Sequence, residues 1–73
     1  MAEKTFGDVL QALRQARKLT QEELAFRSGL DRTYISLLER GRRVPTIDTL
    51  FKLSRSLEVK PEDFIAQVES GRQ

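Results

Sequence analysis

The sequence predicts an all-α domain of five short helices, the second and third joined by a tight turn. Three observations carry this. Apolar residues recur every three or four positions, at Phe6, Val9, Leu10 and Leu13, at Ile35 and Leu38, and from Ile47 to Leu57, which is the period of helices that bury one face. Thr5, Thr20, Asp31 and Thr46 each stand immediately before such a stretch, and these residue types accept hydrogen bonds from the free amides at a helix start. Gly29, Gly41, Pro45 and Pro61 fall between the stretches, where helices end or begin.

Met1 to Lys4 has no periodicity and is expected to fray. Thr5 followed by Asp8 has capping-box spacing, so helix 1 should run from about Phe6 to Lys18. Thr20 and Glu23 repeat that arrangement at the head of helix 2, which begins near Gln21 and points Leu24 inward. The small Ala25 beside it lets a second helix cross closely. Gly29 ends helix 2, because the left-handed conformation needed there costs glycine less than a residue with a Cβ. Leu30 plugs the corner and Asp31 caps helix 3, expected over Arg32 to Arg40, with Ile35 and Leu38 inward. Arg32, Thr33, Ser36, Leu37 and Arg40 fall toward the other side.

Helix 3 taken alone reads as the solvated face of an ordinary surface helix. The Ala25, Gly29, Leu30 and Ile35 framework changes the weighing, because its spacing fits two helices joined by a glycine turn, the helix-turn-helix that carries a DNA-recognition helix.

Gly41 to Pro45 is the one clear loop, with Arg42 and Arg43 inside it. Thr46 caps helix 4, Ile47 to Leu57, whose stripe of Ile47, Leu50, Phe51, Ser54 and Leu57 is widened by Leu53. Free amides at that helix start, with the two arginines, form an anion site suited to a DNA phosphate. Val59 continues the core, and Pro61 opens a fifth helix carrying Phe64, Ile65 and Val68. Phe64 completes the core. Ile65 and Val68 either line the same core or stay exposed on one protomer as a surface for a second. Ser70 to Gln73 is expected to be disordered, and there is no internal repeat or low-complexity stretch.

Seventy-three residues suffice for one domain, 1–73, with a modest core and leave no room for a ligand-sensing domain, so no small-molecule effector is expected. The chain has no cysteine and no histidine, which removes disulfides, thiolate or imidazole metal sites and histidine-dependent nucleophiles. No enzyme, metal or other cofactor is expected. Without a signal peptide or a membrane-length apolar run, the expected location is the cytoplasm. Net charge is only +2, but Arg14 to Arg43 holds eight Lys or Arg against four acids, a local +4, while the remaining five basic and seven acidic residues carry −2. Positive charge is concentrated on the helix-turn-helix.

The stretches Leu19 to Ala25 (LTQEELA), Ser28 to Ser36 (SGLDRTYIS), Leu38 to Gly41 (LERG) and Val44 to Val59 (VPTIDTLFKLSRSLEV) resemble the lambda-repressor-like helix-turn-helix family, the XRE or Cro/repressor type. The resemblance extends from about Phe6 to Phe64. DRTYIS and LERG look most like the controller proteins of restriction-modification systems, which implies a dimeric transcriptional autoregulator. It also implies that Arg14 pairs with Glu39, a structural salt bridge tying helix 1 to helix 3 rather than a DNA contact.

The expected partner is a double-stranded, palindromic DNA operator, bound by a homodimer with helix 3 in the major groove. RNA polymerase is a further candidate partner. Arg32 suits bidentate pairing with guanine, and Thr33 or Ser36 can meet a base edge. Leu37 suits a thymine methyl. Tyr34 has two roles open, the same methyl contact or packing at the helix edge with its hydroxyl on a phosphate. Gln21, Arg40, Arg42, Arg43 and Thr46 are the expected phosphate contacts, and Val59, Ile65 and Val68 the expected dimer interface. The alternative from a different class is an antitoxin-like protein-interaction module that covers a partner with helices 4 and 5 and binds DNA secondarily.

Overall fold

Five helices follow one another, α1 (Phe6–Ala16), α2 (Gln21–Ser28), α3 (Arg32–Glu39), α4 (Ile47–Leu57) and α5 (Pro61–Ser70). This computed structural model describes residues 5–70; the expected frayed N-terminus and residues 71–73 of the expected disordered tail lie outside them.

The helix starts are set by side chains. At α2 the Glu23 N–H donates to Thr20 Oγ1 at 3.0 Å and the Thr20 N–H donates back to the Glu23 carboxylate at 2.8 Å. That backbone N–H, followed by the Thr20 hydroxyl, holds the Glu23 carboxyl below its ordinary value. The cap's ionised form is therefore present at neutral pH, and its contribution is lost as pH falls through the lowered value. Thr5 and Asp8 form the same reciprocal box at α1. Asp31 and Thr46 cap α3 and α4 by accepting the N–H groups of Thr33 and Thr49, each at 3.0 Å.

The core joins Val9 and Leu10 of α1, Leu24 and Ala25 of α2, Ile35 and Leu38 of α3, Leu50, Leu53 and Leu57 of α4, and Phe64 of α5. Phe64 is fully buried and stacks on Phe6 with ring centroids 4.8 Å apart. Buried Gly7 marks the place where α1 crosses the end of α3. A Cβ there would stand 2.6 Å from the Glu39 carbonyl oxygen and closer still to that of Leu38, so only glycine allows the approach.

Several expectations need correction. α1 ends at Ala16 and not Lys18, because Arg17 caps it and Lys18 turns left-handed at φ 58°. α3 ends at Glu39 with Arg40 as its cap, and Ser70 belongs to α5 rather than to a tail. In α4 the buried face is Thr49, Leu50, Leu53, Ser54 and Leu57, whereas Ile47 and Phe51 are 68% and 46% exposed. A helix presents one arc to its neighbours, and at 3.6 residues per turn Ile47 and Phe51 fall beyond one edge of this one. Val59 and Val68 are partly buried against the domain's own core. Of the three residues expected at a dimer interface, Ile65 is 45% exposed and Val59 and Val68 are partly buried.

The Gly7 crossing gives a direct test. Gly7→Ala forces α1 and α3 apart and should cost ~1 to 3 kcal/mol, as overpacking does. In a domain this small each kcal/mol lowers the melting temperature by about 4 to 8 °C. Thermal unfolding followed by circular dichroism reads this, and an unchanged melting point would mean that α1 backs away from α3 at no cost.

Candidate nucleic-acid interface

The corner between α2 and α3 is held by its own backbone. Gly29 is left-handed at φ 71°, and both its N–H and that of Leu30, at 3.1 Å for the latter, donate to the Ala25 carbonyl. The buried Ser28 hydroxyl donates to the Leu24 carbonyl at 2.8 Å. Asp31 starts α3 immediately afterwards, so the corner itself is closed by local hydrogen bonds.

α3 buries Ile35, Leu38 and Glu39 and leaves Arg32 and Thr33 exposed, with Tyr34, Ser36 and Leu37 half-buried. Arg40, Arg42 and Arg43 are exposed just beyond it. From residue 32 to residue 43 the only acid is Glu39, which is buried, so four exposed arginines face solvent with no exposed carboxylate among them. This is the electrostatic footprint of a phosphate-binding surface.

Glu39 is the centre of a buried polar junction. Arg14 Nε donates to Glu39 Oε2 at 2.7 Å and Nη2 to Oε1 at 3.1 Å, while Nη1 donates to the Leu19 carbonyl at 2.8 Å. The side chains of Arg14 and Glu39 are only 11% and 3% exposed. The hydrogen bonds that Arg14 donates to Glu39 raise the Arg14 pKa further above neutrality, against the opposing effect of burial. Gln21 adds a third donor, its Nε2 lying 3.0 Å from Glu39 Oε1. The half-buried Gln21 amide thus spends one N–H on Glu39 and retains the other.

The loop after α3 is tied to that helix by Tyr34. The Arg43 guanidinium lies over the Tyr34 ring at 5.7 Å, and the tyrosine hydroxyl is 3.3 Å from Thr49 Oγ1. Thr46 Oγ1 donates to Thr49 Oγ1 at 3.0 Å while accepting the Thr49 N–H. Tyr34 packs at the helix edge with its hydroxyl beside Thr49. The Thr46 hydroxyl is therefore occupied in capping and in its bond to Thr49. Thr49 escaped the sequence reading, although its position three residues after a capping threonine was a usable signal. The Gln21 to Glu39 bond joins residues 18 apart and had none. No group of metal-binding side chains occurs among the described residues.

The helix-turn-helix family model HTH_3 matches residues 10–64. The chain belongs to this family. It is 41% identical over 61 residues to the control protein C.BamHI of Bacillus amyloliquefaciens, covering 82% of this chain and 75% of that protein. Its fold is similar to the restriction-modification controller protein C.AhdI of Aeromonas hydrophila, with 44% identity, a TM-score of 0.79, and 81% and 89% of the two chains covered. It is also similar to the controller protein C.Esp1396I, solved as a tetramer in complex with its natural 35 base-pair operator, at 37% identity, a TM-score of 0.84 and coverage of 93% and 90%. These relatives are regulators and not enzymes.

The junction predicts that Arg14→Ala and Glu39→Ala each lower stability by ~3 kcal/mol or more, because each leaves a buried charge unpaired. The double variant should lose less than the sum, with a coupling of ~0.5 to 3 kcal/mol in a denaturation cycle. If Arg14→Ala melts like the parent but binds DNA more weakly, Arg14 is a phosphate contact instead.

Proposed function

We propose that this regulator is a homodimeric transcriptional autoregulator whose two α3 helices read a palindromic operator in successive major grooves. The observation that carries the proposal is the exposed Arg32 and Thr33 on a rigidly held α3, flanked by exposed Arg40, Arg42 and Arg43 and by the α4 N-terminus. Arg32 offers guanine a bidentate donor pair, and Thr33 and Ser36 offer hydroxyls to base edges. Leu37 supplies apolar contact. The loop arginines and the α4 amides hold phosphates, fixing register while carrying no sequence information themselves.

One helix-turn-helix spans only a few base pairs. A two-fold dimer doubles the site, with half-sites about one turn, ~34 to 36 Å, apart. Exposed Ile65 makes α5 the favoured dimer surface. RNA polymerase is the natural further partner of a regulator that acts on transcription. The cytoplasm is the fitting location, and among the described residues no helix is long and apolar enough to cross a membrane. The antitoxin-like alternative would use helices 4 and 5, where Val59 and Val68 are partly buried against the core and Ile65 is exposed.

Footprinting on the DNA upstream of its own gene tests autoregulation directly, protection of a two-fold symmetric site being the expected result. Arg32→Ala should melt like the parent, since an exposed side chain adds little to stability. It should cost ~1 to 3 kcal/mol on the operator and relax the preference at one symmetric position, with random duplex affected less. Arg43→Ala should instead weaken binding to all sequences alike and lower the salt slope by about one per site. If Arg32→Ala keeps the parent's ratio of operator to random affinity, specificity lies with Thr33 and Ser36. For the dimer, Ile65→Asp should sediment as a folded monomer at micromolar concentration; an unchanged sedimentation coefficient removes α5 from the interface.

A further inference from the structure

We propose that Glu39 is a positioning residue for DNA binding, presenting the Gln21 side-chain amide as a preset donor to a backbone phosphate at the start of α2. The proposal rests on the DNA-binding reading above and adds to it a role for a residue that touches no DNA. Gln21 is the first residue of α2 and Glu39 the last of α3, so the bond between them spans the two halves of the helix-turn-helix.

Three observations point this way. First, Gln21 Nε2 lies 3.0 Å from Glu39 Oε1, and a bond to a carboxylate is charge-assisted and correspondingly strong. It holds the nitrogen side of the amide on Glu39, which sets the direction of the remaining N–H. Second, the Glu39 charge is already answered by Arg14 through two hydrogen bonds, so the carboxylate that orients Gln21 does not repel an approaching phosphate. Third, the backbone N–H groups of Gln21 and Glu22 stand at the α2 N-terminus beside the same side chain, that of Glu23 being taken by Thr20 Oγ1, and a helix start favours an anion. A glutamine elsewhere on the surface would lose rotamer freedom on binding; here that freedom is surrendered when the protein folds.

The test is a double-mutant cycle on binding, using random-sequence duplex DNA at low salt because a phosphate contact needs no particular operator. Gln21→Met should weaken binding by about twofold to tenfold, the scale of one neutral hydrogen bond. The salt slope should stay unchanged, since a neutral donor releases no counterion. In a Glu39→Gln background that still melts above the assay temperature, the same change should cost less than about twofold. An equal loss in both backgrounds overturns the positioning role and leaves the Gln21 contact standing. If Gln21→Met binds like the parent while Arg43→Ala does not, this proposal falls and the DNA reading survives; if neither variant weakens binding, the DNA reading falls with it. Should Glu39→Gln not fold, side-chain amide relaxation in the DNA-free parent decides. Gln21 is expected to be as ordered as the α2 backbone, and mobility equal to that of exposed Gln15 would overturn the proposal.

Discussion

The paired charges of Arg14 and Glu39 are the constraint on which the arrangement of the first three helices depends. Removing both from water carries a desolvation cost that their attraction offsets only with excellent geometry and further hydrogen bonds. Both conditions are met here, since the guanidinium donates twice to Glu39 and once to the Leu19 carbonyl, and Gln21 supplies a further donor. A core of leucines tolerates small slippage, because apolar contact is non-directional. A two-point arginine to carboxylate bond does not. The angle of α3 against α1 and α2 is thus held by directional bonds, and Gly7 provides the clearance that lets α1 come close enough to make them.

Much of this was legible in the sequence wherever one residue's chemistry sufficed. Thr5, Thr20, Asp31 and Thr46 mark four helix starts because a capping hydroxyl or carboxylate acts on amides two or three residues away. Gly29 and Gly41 mark two ends for an equally local reason, both being left-handed. Lys18 and Glu58 adopt the same conformation without glycine's help, and nothing in their side chains announces it. Ile47 and Phe51 misled because periodicity defines an apolar arc but not which part of it the neighbouring helices cover. The outward set on α3 was readable as a pattern. The partners of Gln21, Tyr34 and Thr46 were not, since they depend on contacts between elements.

Tyr34 joins the two halves of the interface. Its ring lies under Arg43 and its hydroxyl meets Thr49, so a residue of α3 touches both the loop and the first turn of α4. The surface assigned to bases and the surface assigned to phosphates are therefore mounted on one another. Through these two contacts a shift of the loop would be felt at α3. That arrangement suits a small domain.

The division of α3 into a buried inner face and an exposed outer one has a consequence for descent. Ile35, Leu38 and Glu39 are committed to the core and to the Arg14 junction, whereas Arg32 and Thr33 project into solvent. On the proposed reading, stability and address are written on different residues of one helix. A lineage can exchange the outer letters one at a time, passing through intermediates that all remain folded, and arrive at a new operator without renegotiating the scaffold. Duplicated copies in one cell can in this way part company quickly in what they regulate while staying nearly superimposable in how they are built.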